Sequence, residues 1–399
     1  MDKFIYSLLI SAGLTAAGCY HPSLEQDLSE ASSTIDTAVS YPGQGYDITA
    51  NGKNKTASAQ SALYNPQAIS AAHFPEINDS VIDALKQQVK LLKYKKRQTP
   101  QQVGNLTVSN EQLQKTAEIL MEANNSDPAI ISHLLNAYKI EGQDGRGNVH
   151  FTGYYTPVLK VSRTKSSKFP YPLYAFPQDW KGRLPSRAEI DGKNILKGKG
   201  LELAYANNLV DIYIMQVQGS GIVEYEDGST ELFAYTGSNK HSYSSIGKYM
   251  IRKGLTTEQH VSLQFIKKYL RENPEHADDI LFSNPSYVFF KPVNSNPRGA
   301  GLVPLTELHS IAVDTRYIPM GSILLGSVPV INKKNEVIRH EFKLLIAQDI
   351  GGAIKGPGHV DLYTGVGYVA RKKAEKLHHY GNLWLLLPNE DLTNPLAQR

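Results

Sequence analysis

The sequence predicts an α+β chain, mainly β, with its helices gathered in an early block and a middle one. Three observations carry that reading. Ile82, Leu85, Val89 and Leu92 recur at steps of three and four, the spacing of one buried helix face. From Asn148 onward the texture alternates and fills with β-branched and aromatic residues, as in NVHFTGYYTPVLKVSR. Near the carboxyl end an apolar run, EFKLLIAQD, enters a stretch holding Gly351, Gly352, Gly356, Pro357 and Gly358 and leaves it through VDLYTG. Strand, glycine-rich loop and strand therefore follow one another. A chain of 399 residues allows two or three domains, and 41% apolar residues can build their cores.

The chain opens on MDKFIYSLLISAGLTAAGC: Lys3, an apolar run from Phe4 to Ala17, then small residues up to Cys19. That is the layout of a secretory signal over residues 1–19, too short to span a bilayer comfortably. Cys19 is the single cysteine, which excludes a disulfide framework within the chain and a cysteine metal site. Ala16-Ala17-Gly18-Cys19 resembles a bacterial lipobox, with Ala16 where a leucine usually sits, so Cys19 is the expected lipidation site. Tyr20, standing where an Asp would hold a lipoprotein back, points to the outer membrane. Residues 20–60 are polar and without period, and read as a flexible tether.

Order is expected from Ser61. The first helix carries Lys86, Lys90, Lys93, Lys95 and Lys96 on its other face, which reads as a solvated surface. A second helix starts at Ser109, which has capping-box spacing to Gln112, and runs to about Glu122. A third, begun by Asp127-Pro128, extends to about Tyr138. Next, FTGYYTP gathers Thr152, Tyr154 and Tyr155 around a glycine, where they line a sugar groove or pack as ordinary strand tyrosines. From Ser162 to Asn284, YPLYAF, ELAYA, VDIYIMQVQGSGIVEY and ELFAYTG read as strands. Helices follow in NKHSYSSIGKYMIRKG and from Thr257 to Arg271. In MQVQGSG, Gln216, Gln218 and Ser220 offer amides and a hydroxyl to a sugar, or simply form a polar turn. After NPSYVFFKP strand texture returns. Asp314 precedes a turn in LHSIAVDTRYIPMGSILLG, a hairpin turns near Lys333 to Asn335, and YGNLWLLLP closes the chain as a buried strand.

The chemistry on offer narrows by exclusion. A net charge of +4, with no basic stripe interleaved with aromatics, does not indicate nucleic acid. HExxH, GxxxxGK[ST], EF-hand and GxSxG patterns are missing, and His378-His379 has no third ligand in view, so neither a metal nor a nucleotide cofactor is expected. Carboxylates, amides and 23 tyrosines remain, the equipment of carbohydrate chemistry. Asp349 and Asp361 bracket the glycine-rich loop, with Lys355 and His359 between them. A glycosidase normally uses two carboxyl groups, and Asp314, Asp349 and Asp361 are the candidates. A glycan hydrolase and a module that binds glycan without cutting it both fit these residues.

Seven blocks in order, FTGYYTP, KGRLPSRAEI, YIMQVQGSG, SYSSIGKYM, NPSYVFFKP, VDTRYIPMGS and AQDIGGAIKGPGHVDLYTG, resemble the membrane-bound lytic murein transglycosylase A family. The resemblance implies a double-psi β-barrel catalytic domain, 61–157 and 285–399 with the early helices. An inserted β-rich domain, 158–284, interrupts it, and peptidoglycan strands lie in the groove between the two. It implies cleavage of the MurNAc–GlcNAc β-1,4 bond with 1,6-anhydro-MurNAc ends, no cofactor, and a monomer anchored through Cys19 to the outer membrane, facing the periplasm. By motif the single acid/base falls on Asp361, supported by Asp349 and Asp314. Thr152, Tyr154, Gln218, Ser220, Lys355 and His359 are the expected groove residues. Pro357-Gly358 makes the loop one residue longer than the family's pattern, which bears on where His359 sits. An acid working near neutral pH needs a raised pKa, which burial or Asp349 would supply and Lys355 would oppose.

Overall fold

The computed structural model describes residues 66–94, 100–123, 128–142, 147–257 and 260–390. The expected leader, tether and Cys19, and Ser61, Lys95, Lys96 and Asp127, lie outside the described residues. The early helices are α1 (Asp79–Tyr94), α2 (Asn110–Glu122) and α3 (Pro128–Leu134). Strand β1 (Pro66–Gln67) precedes them, β2 (Gln101–Val103) and β3 (Leu106–Val108) lie between α1 and α2, and β4 (Leu135–Lys139) and β5 (Val149–Thr156) follow. At α2 the capping box forms as its spacing predicts: Gln112 N donates to Ser109 Oγ (3.1 Å), and Ser109 N donates to Gln112 Oε1 (2.9 Å).

The late strands are β12 (Ser310–Ala312), β13 (Ile323–Ile331), β14 (Val337–Asp349), β15 (His359–Val366) and β16 (His378–Pro388); β6–β11 belong to the second sheet, below. In hydrogen-bonding order β16, β13, β14, β12, β15 and β5 follow one another, and β5 pairs back onto β16, so six strands close a ring. β12 with β14 and β15 with β5 are parallel pairs. Alternation along the strands makes two cores. Phe151, Leu324, Leu345, Val360, Leu362 and Leu383 fill the ring. Ile323, Leu325, Leu344, Ile346 and Trp384 point the other way and pack beneath α1 and α2 with Leu85 and Leu120. Each such side chain, fully buried, contributes about 2 kcal/mol. The buried Gln88 of α1 donates to the carbonyls of Leu113 (3.1 Å) and Gly321 (2.8 Å), tying both helices to the ring. The strand-rich α+β architecture with its barrel is the one expected.

A second sheet is inserted between β5 and the late strands. It holds β6 (Val158–Ser162), β7 (Tyr171–Tyr174), β8 (Glu202–Ala206), β9 (Gly221–Tyr225), β10 (Thr230–Ser238) and β11 (Val288–Val293), in the order β11-β10-β9-β6-β8-β7. Four helices accompany it: α4 (Leu209–Gln218), α5 (Ile246–Arg252), α6 (Leu263–Glu272) and α7 (Ala277–Phe282). The last helix, α8 (Gly367–Lys376), follows β15 and lies against β5. A Cβ on Gly153 would stand 2.7 Å from Ala374 Cα, so glycine is what lets the helix approach.

Two local expectations are corrected, and one helix goes beyond them. VDIYIMQVQ is helix, not strand. Asn208 caps it, accepting from Val210 N (2.7 Å), and Gly219 ends it at φ 85°. Ile212 and Met215 of this helix join the core of the second sheet, while Tyr213 and Ile214 join that of the neighbouring helices. A helix buried on both sides is apolar all round and loses the amphipathic signature. Secondly, α3 stops at Leu134, because the residues expected to continue it pair with β16 as β4, Ala137 opposite Leu386. Thirdly, α8 was not anticipated: its buried face rests on two alanines, Ala370 and Ala374, too small to mark a stripe.

Candidate active site

The site is built from the outward-facing residues of three neighbouring strands. In β15 and β5, Val360, Leu362, Val149 and Phe151 turn into the ring. By the period of two, His359, Asp361 and Tyr363, and His150, Thr152 and Tyr154, share the opposite face. Register aligns them into rows. Asp361 stands across from Thr152, and Thr152 across from His378 of β16. One row further along, His359 faces His150, which faces Tyr380. On the other side Tyr363 faces Tyr154, ring centroids 5.2 Å apart.

Asp361 is half-buried at the centre of this lattice. Thr152 Oγ1 donates to its Oδ1 (2.8 Å) and lies 3.0 Å from His359 Nε2. Burial pushes the Asp361 carboxyl up to about 7. The Thr152 donation pulls against this, and the charge of Asp349 adds to it. The imidazoles around it are held neutral. Burial lowers His359 to about 4, with His378 assisting, and lowers His150 to about 3, with His378, His359 and His379 assisting. Among the described residues no cluster of three or more His, Cys, Asp or Glu side chains is placed to hold a metal ion.

The other two aspartates are occupied. Asp349, at the end of β14, accepts from Ala300 N (2.8 Å), Ile350 N (2.8 Å) and Tyr154 Oη (2.9 Å). Burial raises its pKa, against the pull of those three donors. For Asp314 burial would also raise the pKa, but the Arg316 guanidinium and the amides of Gly356 and Arg316 outweigh it and hold the carboxyl down to about 2. Gly356 N donates to Asp314 Oδ2 (2.9 Å), and Ile354 is buried against Tyr154, Tyr363 and Ala312. Those two attachments shape the glycine-rich loop.

The residues singled out in the sequence thus separate by position. Asp361, Thr152 and His359 are hydrogen-bonded together. Tyr154 is 8% exposed, and its hydroxyl is committed to Asp349 beneath the surface row. Gln218, at the end of α4, accepts from Tyr155 N (2.9 Å), tying the inserted sheet's helix to β5. Ser220 is half-buried just past Gly219, and Lys355 is exposed, with no hydrogen bond or ion pair to the described residues. His150, His378 and Tyr380 were missed. His150 is in phase with Thr152, as His359 is with Asp361, so the alternation held the signal for two of the imidazoles. The β16 register that brings in His378 and Tyr380 was not legible locally. A recess of about 550 Å³ lies elsewhere, where the chain enters and leaves the second sheet, lined by Ile222, Leu232, Val293 and Asn294 among others.

Residues 150–291 match the family described as the MltA specific insert domain, and residues 309–387 match the 3D domain. The chain is 43% identical over 256 residues to the membrane-bound lytic murein transglycosylase A of Escherichia coli strain K12, covering 63% of this chain and 69% of that protein. To the protein of the same name from Vibrio cholerae it is 42% identical over 277 residues, covering 68% and 74%. Among solved structures, E. coli MltA with bound chitohexaose aligns with a TM-score of 0.67 at 33% identity, over 82% of this chain and 92% of that one. The membrane-bound lytic murein transglycosylase of Agrobacterium tumefaciens aligns with a TM-score of 0.69 at 25% identity, over 81% and 98%.

Proposed function

The chain belongs to the membrane-bound lytic murein transglycosylase A family, and from that premise we propose that it cleaves the MurNAc–GlcNAc β-1,4 bond of peptidoglycan and leaves 1,6-anhydro-MurNAc ends, with Asp361 as its single acid/base. The observation that carries the reading is the unequal state of the three aspartates. Asp361 has a raised pKa and partial exposure, whereas Asp314 is ion-paired and Asp349 is saturated with donors. Hydrolysis with two working carboxyl groups would need one of those two released.

One carboxyl group suffices if the substrate supplies the nucleophile. Protonated Asp361 gives its proton to the glycosidic oxygen as positive charge develops at C1 of the MurNAc ring. The C6 hydroxyl of that same sugar attacks C1, and ionised Asp361 takes its proton. Proximity within the ring replaces an activated water. A glycan strand would lie over the outward rows of β5 and β15, between the ring and the inserted sheet, with Thr152 and His359 beside Asp361. Mass spectrometry of digested sacculi tests this. The expected products are muropeptides one water lighter than reducing-end ones; reducing ends would mean hydrolysis and overturn the reading.

The anchor is part of the proposal. Among the described residues no helix is long and apolar enough to cross a membrane. A lipid on Cys19 would hold the enzyme, as a monomer, to the periplasmic face of the outer membrane through the 20–60 tether. Cys19→Ala should move the protein from the outer-membrane fraction to the soluble one while leaving its specific activity on sacculi unchanged. Retention in the membrane fraction would argue against lipidation at that residue.

A further inference from the structure

Thr152 has a single hydroxyl proton and three polar neighbours, Asp361 Oδ1 at 2.8 Å, His359 Nε2 at 3.0 Å and, at the limit of reach, the Val360 carbonyl at 3.5 Å. A hydroxyl proton spent on the more distant Val360 carbonyl would need both neighbours to donate, again placing the acid proton on Oδ1, and two arrangements spend it on a nearer group. In one, His359 carries its proton on Nε2 and donates to Thr152, whose hydroxyl then donates to Asp361 Oδ1. In the other, Nε2 is bare, Thr152 donates to it, and Asp361 must place its acid proton on Oδ1, aimed at Thr152. The second arrangement buries the catalytic proton in the strand surface. The first leaves Oδ1 as an acceptor and puts the proton on Oδ2, which has no hydrogen-bond partner among the described residues.

We propose that His359 is a positioning residue that acts through Thr152: its Nε2–H turns the Thr152 hydroxyl toward Asp361 and so assigns the acid proton to the outer carboxyl oxygen. This rests on the reading of Asp361 as the acid and adds to it a residue that never touches the reacting atoms. The device requires a neutral imidazole, since a cation one residue's width from Asp361 would favour the carboxylate and remove the acid. The surroundings supply neutrality. The His150 ring lies 5.1 Å from His359 on one side, and His378 stands across β5 in the next row. The titratable groups facing His359 and Asp361 are His150 and Tyr154 from β5, His378 from β16 and Asp349 from β14. Among the described residues no Lys or Arg acts on the pair.

The test compares His359→Gln, whose amide keeps an N–H at the place of Nε2, with His359→Leu, which has no donor. Initial rates of muropeptide release are followed against pH, and the Asp361 carboxyl is titrated by NMR with 13C-labelled aspartate in the absence of glycan. His359→Gln should stay within about threefold of the parent, with its alkaline limb unmoved. His359→Leu should lose about tenfold in maximal rate, the low end of what a proton-transfer group contributes. It should also shift the Asp361 titration upward, because the Thr152 hydroxyl, no longer held by an Nε2–H, can turn from Asp361 to the Val360 carbonyl at 3.5 Å. Thr152→Val breaks the chain at its other end and should give the same shift; it serves as the test if the leucine variant does not fold. A parental rate and titration in His359→Leu, or a glutamine variant as impaired as the leucine one, overturns the proposal. The carboxyl titration needs no turnover, so a wrong assignment of reaction, read from product masses, is distinguishable from a wrong role for His359.

Discussion

Asp361→Asn is expected to lower the release of soluble muropeptides by about 10³-fold, within the range that removal of a general acid usually costs. The substitution is nearly isosteric, and the asparagine carbonyl can still accept from Thr152, so the fold and the pelleting of the protein with sacculi should persist. Loss of product with retained binding separates catalysis from a wall-binding role, and circular dichroism checks the fold. More than a tenth of parental activity would show that proton transfer lies elsewhere. With Asp361 as the proposed acid, the same carboxyl is expected to set the pH dependence. With its pKa raised to about 7, the acid form dominates below that value, and the rate should fall about tenfold per pH unit above it. Stability moves with it. The folded state holds a proton that an unfolded aspartate releases near pH 4, so the contribution of Asp361 is fully present below about pH 4 and is lost as pH rises through about 7.

Arg187→Met is expected to destabilise the fold by about 3–5 kcal/mol, the cost of leaving a buried ion without its partner. Arg187 is 2% exposed and stands at the meeting point of KGRLPSRAEI, NPSYVFFKP and α4. It donates to the carbonyls of Asn284 (3.2 Å) and Ser286 (2.7 Å) and pairs with Asp191 at 3.3 Å. Its guanidinium lies 4.6 Å from the Tyr213 ring centroid and 5.0 Å from that of Tyr287. Methionine matches the stem but leaves two carbonyls and Asp191 unanswered. Burial already raises Asp191 to about 6 with Arg187 opposing, so the variant's carboxyl should titrate higher still. The loss, measured by urea denaturation, should therefore be larger at pH 8 than at pH 5, where a protonated Asp191 can stand alone. A difference under about 1 kcal/mol at pH 8 would mean that the cluster relaxes around the gap.

How legible the site was depends on the range of the interactions that make it. VDLYTG and FTGYYTP read as strands because side-chain alternation is written locally, and the same alternation already put Asp361 in phase with His359. The capping box at Ser109 and the hairpin after Ile331 were equally local. In α4 and β4 the local reading failed, since each is decided by what packs around it: α4 is apolar on all sides, and β4 has an edge of β16 to complete.

The residue types, their period and the glycine-rich loop belong to the sequence alone, and they suffice to name three aspartates and to single out one by resemblance. Which of the three is free to work was decided only by tertiary structure. Asp314 is claimed by Arg316 two residues away and by Gly356 across the loop, Asp349 by Ala300 and Tyr154, and Asp361 by Thr152, 209 positions distant. A carboxyl group's proton affinity is set by the donors and the water that reach it, and those are fixed by the closing of the ring.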